Sequence, residues 1–181
     1  GSVSAEGGSF GYAAAEAGAG LKTGKWSNHI SGGYMRSDGY NRSQAGSLNA
    51  DYEGVKAFYH GNYTDDGLTV SWHAGMSLKG WGSNTFYSTL SDEQYEHSSK
   101  FFTAVQATTN VGRVHFRPSV YWNRYQDRFE FYRGDADRSP FNYHRTDVIG
   151  LNLNSWFDWT LGRTAFGAEA RNEDIISCLL Y

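Results

Sequence analysis

The sequence predicts an all-β fold, an antiparallel up-and-down meander of about eight strands in one domain. The composition combines 22 Gly, 6 Trp, 13 Tyr and 11 Phe with 2 Pro and 2 Met, which favours sheet over helix. Apolar and polar residues alternate at period two over long stretches, as they do in a strand with two different faces. The connections are too short for the crossovers of a parallel sheet, so the strands should be antiparallel.

The clearest strand covers residues 68–80, where Leu68, Val70 and Trp72 begin an apolar series that alternates with Thr69 and Ser71. The same pattern recurs at 114–123 and 149–159. Weaker alternation predicts further strands and an early extension at 9–22, 26–36, 46–63, 98–110, 163–173 and 2–6. Within 46–63 the apolar parity changes, and a β-bulge near Gly54 would account for the change. Leu48, Ala50 and Tyr52 have one parity, and Val55, Ala57, Tyr59 and Tyr63 have the other.

Short and long connections alternate along the chain. Tight Gly- or Asp-containing turns are predicted at 23–25, 65–67, 110–112 and 161–163, using residues that tolerate positive φ. Longer polar and aromatic loops are predicted at 37–45, 81–97 and 128–145. In a meander, alternate connections lie at the same end of the sheet, so the turns should share one end and the long loops the other. This asymmetry is typical of outer membrane barrels.

Hydropathy is compatible with a membrane barrel. The mean hydropathy is -0.60, and the sequence has no run of about 18 apolar residues that could form a membrane helix. A membrane strand needs an apolar residue only at every second position, so its average hydropathy is low. We therefore expect the meander to be part of a transmembrane β-barrel.

The charge distribution and the residues at the two ends of the sequence narrow the class of protein further. The 16 basic and 19 acidic residues are scattered without a basic stripe, so nucleic acid is not expected as a partner. The lone Cys178 cannot form an internal disulfide. The N-terminal Gly1-Ser2-Val3-Ser4 does not have the pattern of a signal peptide, and residues 175–181 still have a strand pattern. We expect the chain to be a mature or excised part of an exported protein.

Several short motifs resemble TonB-dependent receptors, above all those of Bacteroidetes, and among these the cobalamin-receptor-like branch. They occur in the order Gly8-Ser9-Phe10-Gly11, Ser37-Asp38-Gly39-Tyr40-Asn41, Gly82-Ser83-Asn84-Thr85-Phe86-Tyr87-Ser88, Glu93-Gln94-Tyr95-Glu96 and Gly167-Ala168-Glu169-Ala170-Arg171. Each motif is short, and their order and spacing carry the resemblance. Such receptors have an N-terminal plug inside a 22-stranded barrel. The resemblance implies that residues 1–181 form a single partial barrel domain, from the N-terminal part of the barrel, without the plug.

The resemblance also implies a role in TonB-dependent uptake of a scarce nutrient: cobalamin, a siderophore, haem or a glycan. The implied partners are outer membrane lipid, a small nutrient ligand, and TonB, which would be contacted through the missing plug. The implied location is the outer membrane of a Gram-negative bacterium. The resemblance implies no cofactor.

The polar residues do not predict an enzyme or a metal site. No two of His29, His60, His73, His97, His115 and His144 have a helical ligand spacing, and we expect them to line the interior. Glu93 with Glu96, or Asp135 with Asp137, are candidates for calcium binding in a loop. Their spacing is not that of an EF-hand, and the alternative is that they are solvated loop charges. No Gly-x-Ser-x-Gly motif is present, and we expect no catalytic residues.

Aromatic residues fit two roles. Those in strands fit the girdles of a membrane barrel at its two interfaces: Trp26, Trp72, Trp122, Trp156 and Trp159. The aromatic residues assigned to loops, including Phe129 and Phe131, are candidates for ligand capture. The candidate ligand-binding residues are Trp81, Phe86, Tyr87, Tyr132, Phe141 and Tyr143.

Two other architectures match part of the pattern. One is a complete eight-stranded outer membrane barrel with a structural or adhesion role, and the other is a soluble ligand-binding barrel. The apolar faces of 68–78 and 149–159 argue against the soluble barrel, and the receptor-like motifs argue against the small one. A wall segment with two raw edges invites pairing, so we expect it to curl into a sandwich or small barrel, or to associate with its own copies.

Overall fold

The computed structural model describes residues 1–40, 49–109 and 111–179, and side chains as far as Ser177. In these ranges the chain forms one antiparallel sheet of nine strands, whose order in the sheet is their order in the sequence. The strands are β1 Ser2–Gly7, β2 Ala13–Thr23, β3 Trp26–Ser37, β4 Tyr52–Thr64, β5 Leu68–Asn84, β6 Gln94–Thr109, β7 Val114–Glu130, β8 Asn142–Trp159 and β9 Gly162–Leu179. The predicted all-β meander is confirmed.

The count exceeds the predicted eight because the early extension is a strand of its own. A turn separates β1 from β2, where Gly8 N donates a hydrogen bond to Tyr12 O at 2.9 Å. Phe10 and Gly11 both have positive φ in this turn, 61° and 66°. The alternating pattern across 9–22 hid this reversal because Phe10 and Tyr12 continue the apolar parity.

The two kinds of connection are sorted to opposite ends, as predicted. The sequential antiparallel order places 24–25, 65–67, 110–113 and 160–161 at one end, which we call the turn end. It places 8–12, 38–51, 85–93 and 131–141 at the other, the loop end. Residues 41–48 and 110 in these connections lie outside the described residues. Loops 85–93 and 131–141 are shorter than expected because β5, β6, β7 and β8 extend into the regions assigned to them. Loop 38–51 is longer than the predicted 37–45, because β4 begins only at Tyr52.

The turns are closed by local hydrogen bonds. Gly24 and Gly162 have the positive φ expected of hairpin glycines, 57° and 143°. The turn at 65–67 is different, since Gly67 is not left-handed and Asp65 holds the turn instead. Asp65 N donates to Leu68 O at 2.8 Å, and the Asp65 carboxylate accepts from Asp66 N at 2.8 Å.

The predicted bulge near Gly54 is wrong. Gly54 pairs with Met35 on one side and Lys79 on the other, within unbroken registers. The parity change arises because Ala50 precedes β4, and Tyr52, the first residue of β4, lies on the polar face opposite Trp81. Leu48 lies outside the described residues. The register instead shifts in β5, between Gly82 and Asn84.

Cross-strand partners share a face, so the registers assign every strand residue to one of two faces. One face, the apolar face, carries the series from Leu68 to Leu78 on β5 and the series from Phe116 to Trp122 on β7. The opposite, polar face carries His73, Ser77 and Lys79 of β5. In the described part of the chain, no helix is long and apolar enough to cross a membrane.

The sheet is open. Among the described residues, the strands that contact one another are neighbours in sequence, and β1 does not meet β9. The expectation that the chain curls into a sandwich or small closed barrel is therefore wrong for the single chain. A continuous two-faced sheet satisfies its backbone hydrogen bonds from strand to strand without folding back on itself. Self-association stays a prediction.

Candidate functional site: the apolar band and the loop end

The apolar face has the height of a membrane's hydrocarbon layer. From Leu68 to Leu78 the strand advances about 34 Å at roughly 3.4 Å per residue. At a tilt of about 45°, this corresponds to roughly 24 Å of height, close to the band of about 25 Å on outer membrane barrels. On neighbouring strands the apolar series gives way to polar residues towards the loop end, at Arg36, Glu53, Ser99, Arg124 and Asp147.

Aromatic side chains lie at the turn-end border of this band. Trp26 and Tyr63, which pair at the end of β3 and β4, have ring centroids 4.8 Å apart. Trp72 contacts Trp26 at 5.9 Å and donates its indole N–H to Tyr59 Oη at 3.2 Å. Such rings, apolar with one polar edge, suit the headgroup region.

At the opposite border, Trp122 donates its indole N–H to Asp147 at 3.2 Å. Arg124 binds the same carboxylate through two nitrogens, at 2.7 and 3.1 Å. Trp156 does not belong to either girdle, because it lies on the polar face, stacked on His115 at 5.1 Å. Its assignment from sequence was therefore wrong, and the cause is the strict alternation within β8.

Three of the loops at the loop end are tied into one unit, which we call the loop cluster. Gln94 is fully buried, and its amide donates to Ser88 O at 2.6 Å and Ser91 O at 2.8 Å. Its side-chain oxygen accepts from Tyr87 N at 3.1 Å. Ser91 Oγ in turn donates to Phe131 O at 2.8 Å, joining loop 85–93 to loop 131–141. One buried side chain thus organises the shorter loop and fixes it to its neighbour.

An ion pair connects loop 38–51 to loop 131–141. Arg133 donates to both carboxylate oxygens of Asp51, at 2.8 and 2.9 Å. The guanidinium also lies 3.9 Å from the ring centroid of Tyr95, which is 3% exposed. The Tyr95 ring lies over Gly80, where an added Cβ would be 2.5 Å from the tyrosine oxygen. Only glycine fits under this ring, so the loops sit on a tightly packed base.

Glu130 lies buried beneath the same loops, at 2% exposure. Its Oε2 accepts from Gly134 N at 2.7 Å. Its Oε1 lies 2.6 Å from Arg128 Nη2, a close ionic contact, and 3.3 Å from His97 Nε2. The buried charge therefore holds loop 131–141 to β6 and β7.

The six candidate ligand-binding residues do not form one site. Trp81 belongs to β5, not to a loop, and lies on the polar face with its partner Glu96. Phe86 and Tyr87 are in loop 85–93, 81% and 57% exposed, with ring centroids 4.9 Å apart. Tyr87 also contacts Phe129 at 5.0 Å, and Phe129 is a β7 residue of the polar face.

The other three candidates lie elsewhere. Tyr132 is covered by Arg138, whose guanidinium carbon is 3.5 Å from the ring centroid. Phe141 is contacted by Arg128 at 5.4 Å. Tyr143 belongs to β8, not to a loop, and faces the apolar side opposite Arg128. The strands are longer than the sequence pattern indicates, and their alternation separates neighbouring aromatics onto different faces.

Burial and the neighbouring Glu96 raise the pKa of the Tyr87 phenol. Ser83 Oγ donates to the same Glu96 carboxylate at 2.8 Å. Tyr87, Glu96 and Ser83 therefore form a small hydrogen-bonding group beside Phe86, at the border between the polar face and the loops. A ring with a fixed polar partner can both stack on a ligand and hydrogen-bond to it.

The loop carboxylates take part in the loop's own structure. Asp135 accepts from Arg138 N at 3.0 Å, and Glu93 lies 3.8 Å from Arg138 Nη1. In the described ranges, no group of three or more His, Cys, Asp or Glu residues is arranged to hold a metal ion. The contacts of Asp135 and Glu93 with Arg138 fit the loop-charge alternative, and calcium binding by the loop carboxylates stays an untested hypothesis.

Sequence reasoning missed a row of histidines on the polar face. His29 pairs with His60, and His60 pairs with His73, so three adjacent strands each place one imidazole in the same row. The His60–His73 pairing could have been found from the sequence by taking Asp66-Gly67 as the two central residues of the hairpin, because His60 and His73 lie equally far on either side of that pair. The His29–His60 pairing could not have been found in this way, because loop 38–51 connects β3 and β4 and its length does not reveal their register.

Comparison with solved structures gives the same architecture. The chain is similar to the copper transporter OprC, with a TM-score of 0.72 and 14% identity, covering 96% of this chain and 28% of that one. It also matches OmpTdeltaL8, a loop deletion mutant of OmpT, an outer membrane protein of Vibrio cholerae, with a TM-score of 0.45 and 14% identity over 94% of this chain and 58% of that one. No protein-family model and no curated protein matches the chain.

At this identity the OprC likeness shows the fold, which is the wall of an outer membrane β-barrel. The predicted outer membrane location agrees with that fold. The chain spans 28% of the OprC chain that it resembles.

Proposed function

We propose that this chain is a wall segment of an outer membrane receptor for TonB-dependent uptake of a scarce nutrient. The observation that carries the proposal is the combination of a membrane-height apolar band with a structured loop cluster at one end only. A purely structural barrel has no need to tie three outer loops together around buried polar groups. A receptor does, because fixed loops lose less entropy when a ligand binds.

The open sheet supports membership in a larger barrel. Bacterial single-chain outer membrane barrels close with an even number of strands, and the described sheet has nine with unpaired first and last strands. The partners in this proposal are outer membrane lipid at the apolar face, a small nutrient at the loop end, and TonB, reached through a plug in the same protein. Residues 1–181 would be a partial barrel domain.

The structure divides the candidate ligand residues into two sets, and we assign binding to one. Trp81, Phe86 and Tyr87 border the polar face, which becomes the interior when the barrel closes. Tyr132, Phe141 and Tyr143 pack against arginines or face the apolar side. A nutrient that enters the barrel must pass the first set.

The test replaces each set by Ala in the full-length protein at matched surface level. Whole-cell binding is measured with labelled cyanocobalamin, ferrichrome, haemin and maltoheptaose as probes, in strains with and without TonB. We expect the first triple variant to weaken binding of one probe at least about tenfold, the effect of roughly 1.4 kcal/mol, and uptake of that probe to require TonB. Equal losses from both triples would contradict the assignment, and TonB-independent uptake would contradict the function.

A further inference from the structure

The row of three histidines on the polar face is the feature that the receptor proposal leaves unexplained. His29, His60 and His73 lie directly opposite one another on β3, β4 and β5. They sit well below the loop cluster, so they take no part in the site described above. We propose that His60 and His73, with His29 beside them, bind a borderline divalent transition-metal ion such as Cu²⁺, Ni²⁺ or Zn²⁺.

The backbone brings His60 and His73 especially close. Thr64 N donates to Lys25 O at 2.9 Å, and Asp65 N donates to Leu68 O at 2.8 Å. Hydrogen-bonded and non-hydrogen-bonded pairs alternate along an antiparallel pair of strands. Counted from these two bonds, His29–His60 is a hydrogen-bonded pair and His60–His73 is a non-hydrogen-bonded pair. In non-hydrogen-bonded pairs the Cα atoms are only about 4.5 Å apart and the side chains lie closest.

That separation suits chelation. Two nitrogens bound to one tetrahedral ion at about 2.05 Å are roughly 3.3 Å apart, which two facing imidazoles reach by rotation about their side-chain bonds. In the structure the rings are turned apart, so the three histidines are not among the described residues that form a ready-made metal-binding group. The His73 ring lies against those of Phe58 and Phe102, with ring centroids at 6.2 and 5.9 Å, and the His29 ring lies beside Gly18 and Gly20 of β2. Binding therefore requires rotamer changes and no movement of the sheet.

The surroundings favour a transition metal over a hard cation. Phe102 covers Gly75, where an added Cβ would be 2.4 Å from the ring, so an aromatic surface borders the row. Glu16, the carboxylate lining the nearby groove, is paired with Lys56. The groove, about 580 Å³ in volume, also contains His29 and Met35. Imidazole ligands suit Cu²⁺, Ni²⁺ and Zn²⁺, whereas Ca²⁺ and Mg²⁺ need several oxygens.

The test uses the full-length protein in detergent, titrated with Cu²⁺ and followed by calorimetry and electron paramagnetic resonance. We expect one ion per chain with hyperfine splitting from at least two imidazole nitrogens, displaced by Zn²⁺ or Ni²⁺ and not by Mg²⁺. His60→Asn and, separately, His73→Asn should each weaken metal binding at least about tenfold. Removing even a residue that only hydrogen-bonds to a metal ligand typically lowers metal affinity about 10–100-fold.

His115→Asn is the matched control, because His115 lies on the same face but is stacked on Trp156, away from the row. It should leave affinity within about twofold, with circular dichroism confirming that each variant keeps its sheet. Unchanged affinity in both row variants, or an equal loss in His115→Asn, would overturn the proposal. Metal binding at the row does not depend on the receptor function, so either can fail alone.

Discussion

A positive charge placed on the apolar face should destabilise the protein according to its depth in the membrane. Ala74 lies on this face of β5, six residues beyond Leu68, which is about 14 Å above the turn-end border at roughly 3.4 Å per residue and 45° tilt. That is near the middle of the band. Arg at the midplane of a membrane barrel costs about 2–4 kcal/mol, and near an interface about 0–1 kcal/mol.

Two other alanines provide matched controls in the adjacent strand. Ala107 lies on the apolar face near the turn end, opposite Val70. Ala104 lies on the polar face at nearly the same depth as Ala74, opposite His73. We therefore expect a large cost for Ala74→Arg, about 2–4 kcal/mol, and less than about 1 kcal/mol for Ala107→Arg. Ala104→Arg should also cost less than Ala74→Arg, because its charge remains on the polar face.

The assay is reversible guanidinium unfolding of the full-length protein in phospholipid vesicles, with the free energy of unfolding compared between variants. The result that would refute the reasoning is equal destabilisation by Ala74→Arg and Ala104→Arg, since the two differ in face and hardly in depth. A larger cost for Ala107→Arg than for Ala74→Arg would show that the middle of the membrane band does not lie near Ala74.

Two further predictions concern the ends of the sheet. Arg133→Lys should lose the two-pronged contact with Asp51 and therefore speed limited proteolysis within 131–141. Arg163→Lys alters the similar pair with Asp158 at the turn end and should leave the cleavage rate within 131–141 unchanged. Equal cleavage rates in wild type and Arg133→Lys would contradict the loop cluster. Hydrogen bonding from Lys25 lowers the pKa of Asp65, so the pair stabilises the turns above the unfolded carboxyl pKa of about 3.9, and this contribution is lost as the pH falls through the lower folded pKa. Lys25→Met should abolish that part of the acid dependence of hydrogen exchange in the turns, and an unchanged profile would show that the pair contributes nothing.

The architecture could be predicted from the sequence because it depends on local patterns. Alternation from Leu68 to Leu78 fixes a face, and turn residues such as Gly24 fix reversals, so strand order and loop sorting follow. The prediction failed where local patterns are ambiguous. The turn at 8–12 was hidden by apolar residues, and Ala50 was counted in a strand that begins at Tyr52.

The candidate site was harder to predict because it depends on register across long loops. Trp81 and Tyr143 were both assigned to loops from the sequence, yet they lie in β5 and β8 on opposite faces of the sheet. The Arg133–Asp51 pair joins residues 82 positions apart, for which no local motif exists. The His60–His73 pair is the exception, since a tight hairpin transmits its register directly.

The measurement that tests the membrane-wall account most directly is a spin-label scan along β5. Single cysteines from 68 to 78, in a full-length protein without other cysteines, would be labelled and reconstituted into vesicles, and collision rates with oxygen and with a water-soluble nickel complex compared. The account predicts a period of two, with oxygen favoured at Val70, Trp72, Ala74 and Met76, and the greatest preference near Ala74. Uniform nickel accessibility along the strand, or oxygen preference on the face of Ser71 and Ser77, would contradict it.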